Sequence, residues 1–337
     1  MSRSKITISI FAALLAGLAW LPNSSAQSPP RITDTDRVRL REAVRLADLL
    51  GDKIWPNWRA APFALLLVTP EHEFLLRQPK PSPDFTAANG DTLLGEPVFY
   101  RRRVFNTAMQ ATFPAVSGVN TIVIGQAELT SDKTSTRWVL TVLHEHFHQL
   151  AYSRPGYYDG VVKLGLAHGD NTGMWMLTYP FPYDSARVQD KFRAMTAALL
   201  DALAQSDGPV FKQKVAAYAR ATRDFRDAIP AEAEKYFAFQ FWQEGVARYT
   251  ELMLGELASR QYSVSADFAA LPDFASFSSV SLAIRSRIMT DLGSLSLAKS
   301  RREVVYSVGA AQALLLDRVK PKWKHEYFSH PFRLPSP

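Results

Sequence analysis

Apolar residues recur every three or four positions from 34 to 53, with Val38, Leu40, Ala43, Val44, Ala47 and Leu50 on one side and Thr35 or Asp36 as a cap. That spacing predicts an amphipathic helix. The texture then changes. FALLLV (63–68) and EFLLR (73–77) read as strands joined at Thr69-Pro70, EPVFYRRR (96–103) alternates, and TIVIGQAEL (121–129) is a β-branched run. Together they predict a small sheet. The helical period returns at Trp138, Val139, Val142, Leu143, Phe147 and Leu150, behind Thr134, Ser135 and Thr136 as caps and with no Gly or Pro before Pro155. Beyond residue 185 it continues almost without a break, as helices over roughly 186–206, 209–227, 231–258, 277–292 and 299–318.

The helix predicted after the sheet carries VLHEHFHQL (142–150). Positions i and i+4 share a helical face, so His144 and His148 stand one above the other while His146 points away. Glu145 lies one step round from His144, placed to hold a water between the histidines. This is His-Glu-x-x-His, the spacing with which one helix holds a zinc ion beside a general base.

Composition narrows the picture. Hydrophobic residues at 47% and charged residues at 21% suit a soluble globular protein, and 337 residues suffice for one large core or two lobes. Cysteine is absent, which removes disulfides, thiolate ligands and cysteine nucleophiles. Arg3 and Lys5, the apolar run Ile6 to Leu21 and Ser24-Ser25-Ala26 read as a signal peptide cut after Ala26, so export to a periplasm or the medium is expected. No later run is long and apolar enough for stable membrane insertion. The net charge of +7 falls to +5 without Arg3 and Lys5, and the excess is dispersed, which speaks against nucleic acid as a partner. The expected organisation is a signal peptide (1–26), an N-terminal helix with a sheet-bearing lobe (27–130) and a mainly helical part (131–337) that carries the site, an α+β arrangement.

A catalytic zinc takes three protein ligands and leaves one position to water. A third histidine in HExxHxxGxxH would need Gly at 151 and His at 154, where the chain has Ala151 and Arg154. A downstream glutamate is present in FWQEGVARYTEL (241–252). Glu244-Gly245-x-Ala247-x-Tyr249-x-Glu251 resembles the third-ligand helix of the gluzincin metallopeptidases, nearest their aminopeptidase-like branch. Tyr306-Ser307-Val308-Gly309 resembles the Tyr-x-x-Gly segment of the same branch. With the His-Glu-x-x-His helix, the resemblance covers three short segments, about a tenth of the chain.

The resemblance implies a zincin-like fold and a zinc metallopeptidase. In it Glu244 is the third ligand, Glu251 supports a ligand histidine, Glu145 is the general base, and the Tyr306 phenol donates to the developing oxyanion. Gly125 and Glu128 keep only two residues of the family's substrate-gripping strand, so aminopeptidase specificity is not implied. A peptide or protein substrate paired along TIVIGQAEL, with Gly125, Glu128 and His168 lining its cleft, is the expectation that follows. Two other readings stand beside it: an exported zinc hydrolase of another amide, such as a wall cross-link, and a non-catalytic peptide- or wall-binding protein using the aromatic insert HGDNTGMWMLTYPFPYDS (168–185).

Overall fold

Leu65, Leu66, Leu67 and Val68 are all buried, which marks a strand covered on both faces. It is strand β1 (Leu65–Val68) of a six-stranded mixed sheet in a computed structural model that describes residues 29–337; the expected signal peptide lies outside those residues. The others are β2 (His72–Leu76), β3 (Thr86–Leu93), β4 (Glu96–Arg102), β5 (Gln110–Val116) and β6 (Val119–Gly125), in the order β3-β4-β2-β1-β6-β5. Only β1 and β6 pair in parallel; the remaining neighbours are antiparallel.

Side chains alternate across this sheet, as the period of two requires. Leu65 and Leu67 join the main core under the helices. Leu66, Val68, Leu75 and Val123 form a smaller core on the other face with Phe85, Phe99, Phe105 and Phe113 packed around it.

Two strands escape the hydrophobic pattern. β3 (TAANGDTL) is an edge strand with most of its residues exposed or half-exposed. β5 carries Pro114, which lacks an N–H and is tolerated because β5 is the opposite edge. This corrects one expectation. The run 121–129 is not an open edge: β6 is paired on both sides and ends at Gly125, before a 3₁₀ turn over Ala127–Leu129. The free edge beside it is β5.

Thirteen helices are described. α1 (Asp34–Ile54) starts one residue after Thr33, whose hydroxyl caps Asp36 N, in place of the expected Thr35 or Asp36. α2 (Ser135–Tyr152) carries the histidines. The short helix α3 (Tyr157–Lys163) precedes the aromatic insert, and α4 (Trp175–Thr178) lies in it. α5 (Ala186–Leu203), α6 (Pro209–Arg226), α7 (Ala231–Gln240), α8 (Val246–Gln261), α9 (Ala266–Ala269), α10 (Phe277–Ser294), α11 (Leu297–Ser300), α12 (Val304–Val319) and α13 (Trp323–Glu326) complete the chain. One core runs from Ile32 to Leu334, through α1, the sheet and the C-terminal helices, so the sheet-bearing and helical parts share their interior. The insert's aromatics serve it: Trp175, Tyr179, Phe181 and Tyr183 are buried, and Tyr179 stacks on Tyr236 at 4.3 Å.

The helix expected over 231–258 is interrupted. Between α7 and α8 the chain makes a π-helical turn, Phe241–Gly245, of the kind that marks functional sites. A Cβ on Gly245 would lie 2.5 Å from Gly309 Cα, and one on Gly309 would lie 2.7 Å from Gly245 Cα. The two glycines therefore let α12 touch the backbone of the π turn. Tyr306, one turn before Gly309, is carried to the same place as Glu244.

Candidate metal centre

Helix α2 enters the core with His144, Glu145 and His148 all buried, and each offers a donor atom within 4.8 Å of the others. These three form a candidate metal-binding group. The rings of His144 and His148 are 5.0 Å apart, as their i, i+4 spacing requires. His146 faces the other way: it stacks on Phe63 at 4.0 Å, and its Nδ1 lies 2.9 Å from Gln149 Oε1.

Glu244 completes the arrangement from the π turn. Its Oε2 lies 3.6 Å from His144 Nε2 and 3.4 Å from His148 Nε2. Ligands about 2.1 Å from a tetrahedral metal are separated by roughly 3.4 Å, so Glu244 Oε2 stands from each Nε2 as one corner of a coordination site stands from another. Glu145 is turned to a different task. Its Oε2 accepts a hydrogen bond from Thr112 Oγ1 at 2.9 Å, on the edge strand β5. We therefore take Glu244, and not Glu145, as the carboxylate facing both Nε2 atoms.

The surrounding groups fix these side chains. Glu251 Oε2 approaches His144 Nδ1 at 3.5 Å, one face of α8 presenting Glu251 two turns after Glu244. A carboxylate there favours hydrogen on Nδ1 and leaves Nε2 free to coordinate. Glu251 is itself held by Arg137 and by Arg248, whose Nη1 donates at 2.7 Å. His148 has no such support: its buried Nδ1 lacks a hydrogen-bond partner among the described residues, and Tyr152 stacks on its ring at 5.7 Å.

Arg302 is the residue that sequence reasoning missed. It donates from Nη2 to Glu244 Oε1 at 2.8 Å, from Nε to Gln240 Oε1 at 3.1 Å and from Nη1 to Tyr306 Oη at 3.1 Å. By occupying the outer oxygen of Glu244 it turns Oε2 toward the histidines. The preceding residue, Arg301, has φ +46 and ψ −128, a disfavoured conformation of the kind that costs on the order of 1–3 kcal/mol. The sequence held one clue: Arg302 and Tyr306 are four residues apart, so they share a face. Removing the charged fork in Arg302→Gln is expected to weaken metal binding about 10- to 100-fold, the range for groups that orient a ligand. A chelator-competition titration measures it; unchanged affinity would mean Glu244 needs no such anchor.

Electrostatics follow from this packing. Burial lowers His144 to about 3, so its imidazole is neutral and available as a ligand. Burial alone would raise Glu244, but His148 and Arg302 hold its carboxyl well below the usual range. Burial pushes the Glu145 carboxyl up to about 7, against the pull of His148. A dication beside it would draw it back toward the ionised form.

Tyr306 lies at the centre, with its ring 6.1 Å from that of His144. The other expected residues do not join it. Gly125 is fixed against Thr107, where an added Cβ would lie 1.8 Å from the carbonyl oxygen, and its own carbonyl accepts from Trp138 Nε1. Glu128 turns to the surface and pairs with Arg39 at 2.8 Å. His168 is exposed and lies 3.6 Å from Glu232, at the far end of α7, about 18 Å along the helical path from Glu244. These three were expected to line a cleft, and local backbone packing and surface ion pairs engage them elsewhere.

Comparison with protein-family models, with curated proteins and with solved structures finds no match. The reading of the centre therefore rests on its geometry.

Proposed function

We propose that the protein is an exported zinc-dependent hydrolase of peptide bonds, with His144, His148 and Glu244 as ligands and Glu145 as general base. One observation carries this reading: a Glu244 oxygen at ligand spacing from the Nε2 atoms of His144 and His148, beside a buried Glu145 whose Oε2 accepts from Thr112. A structural site would fill its fourth position from the protein, and a binding protein would have no use for Glu145. When bound, zinc supplies Lewis acidity to a water and to the scissile carbonyl.

The chain's own groups do the rest. Glu145 accepts the water's proton as its oxygen attacks the carbonyl carbon, then returns it to the amide nitrogen as the C–N bond breaks. Burial raises the Tyr306 phenol, so it stays protonated as a donor. Arg302 donates to its oxygen, which leaves the phenol hydrogen to meet the oxyanion. In this reading an extended substrate pairs with β5, an edge strand whose Thr112 donates to Glu145. Among the described residues no helix is long and apolar enough to cross a membrane.

Elemental analysis of the purified full chain is expected to find about one zinc per chain, and His148→Ala to lose it. Equal metal in both proteins would overturn the ligand assignment. A screen of peptides and wall fragments, with and without a chelator, then separates a peptidase from a hydrolase of another amide.

A further inference from the structure

A cavity of about 760 Å³ opens beside the metal centre, between the start of α2, α8, α10 and the start of α12. Arg137 and Arg248 stand in its wall next to Tyr306, whose ring links it to His144. The Arg248 guanidinium carbon is 5.6 Å from the Tyr306 ring centroid, so a group held there lies beside the phenol.

The wall carries three arginines, Arg137, Arg248 and Arg287, and three acids, Asp132, Asp291 and Glu303, but their pairing is uneven. The guanidiniums of Arg137 and Arg248 both lean on one carboxylate, Glu251, which also faces His144. For Arg248, Glu251 is the only acceptor within hydrogen-bond distance among the described residues. Arg137 has Glu251 and, at 3.4 Å, Asp132. The other acids of the wall are engaged or turned outward. Asp132 accepts from Gln110 and Thr141, Asp291 is taken by Arg287 and Ser307, and Glu303 is largely exposed. Arg137 and Arg248 both line the cavity, and among the described residues most of their ten N–H donors have no protein acceptor. Burial pushes Arg137 down to about 10, with the charge of Arg248 adding to it, and burial lowers Arg248 as well. An anion from outside the chain relieves both.

We propose that this cavity is an anion subsite in which Arg137 and Arg248 receive a carboxylate of the substrate, from an acidic side chain or from the peptide's own C-terminus. The proposal rests on the hydrolase reading for what the anion belongs to, but its test does not.

Three probes separate the sources: N-acetyl-glutamate α-amide, N-acetyl-glutamine with a free α-carboxylate, and the neutral N-acetyl-glutamine α-amide. Calorimetric titration into the full chain, before and after chelation, is expected to show at least one acidic probe binding about tenfold or more tighter than the neutral one. The preference survives chelation, because a carboxylate held by a metal would be lost with it. Two variants check the location. Arg248→Gln removes a donor, and Ala283→Glu sets a carboxylate on the exposed cavity wall, on α10, which carries no proposed ligand. Both are expected to erase the preference, with melting temperature and, for Ala283→Glu, metal content unchanged. Equal binding of all three probes, a preference lost on chelation, or one that persists in both variants would overturn the subsite. If peptides are cleaved while the probes bind equally, the subsite alone falls. If the probes discriminate while nothing is cleaved, hydrolysis alone falls.

Discussion

Glu145→Gln is expected to leave the fold and the metal in place and to lower turnover by about 100- to 10 000-fold, the range for losing a positioned general base. The amide oxygen still accepts the hydrogen bond that Thr112 Oγ1 gives Glu145 Oε2, so the side chain keeps its place at the edge of β5. It cannot take a proton from water. Because the lost interaction belongs to the transition state, kcat should fall with little change in KM. Stopped assays on the best substrate of the screen, with metal analysis of the same preparation, measure both. Loss of metal in the variant would make Glu145 a ligand. Glu244 would then keep only its contacts with Arg302 and the histidines.

What the chain reveals before folding depends on how far apart its parts lie. His144 and His148 are four residues apart on one helix, so the helical period alone places them on one face. His146 follows by the same rule, and it does turn away to Phe63 and Gln149. Contacts made across the fold are silent. Thr112 reaches Glu145 over 33 positions, and Arg302 reaches Glu244 over 58. No spacing rule covers either distance. The sheet shows the same limit. Its inner strands β1 and β6 are apolar because both faces are covered, whereas the edges β3 and β5 carry the polar residues and proline that an edge permits. The strand expected to pair with a substrate, β6, is legible because it is buried, and its pairing with β1 and β5 is what bars it from adding another strand. The glycines of the Glu-Gly and Tyr-x-x-Gly segments show their purpose only in the folded chain, where each occupies the space that a Cβ on the other would need.

Tyr306→Phe is the second large effect, expected at about 100- to 1000-fold in kcat with KM nearly constant. The contacts of the phenols distinguish this tyrosine from its neighbours. Tyr157 donates to Gln243, Tyr158 to Asn120, Tyr249 to Asp317 and Tyr262 to Glu42, so each already gives its hydrogen to an acceptor. The partner of Tyr306 is Arg302, which has only hydrogens to give. Its oxygen is therefore an acceptor in that bond, and its own hydrogen is left for a group that arrives with the substrate. Phenylalanine keeps the ring between Arg248 and Arg302 and forfeits one hydrogen bond, a loss of about 0.5–1.5 kcal/mol in stability. A fall in kcat with the melting temperature nearly unchanged is thus the signature of an oxyanion donor, and an equal fall in both would mark a packing residue. Tyr152, stacked on His148, provides the control. If Tyr152→Phe lowers kcat and Tyr306→Phe does not, the donor stands on α2 beside its ligand, and the contact between Gly245 and Gly309 serves packing alone.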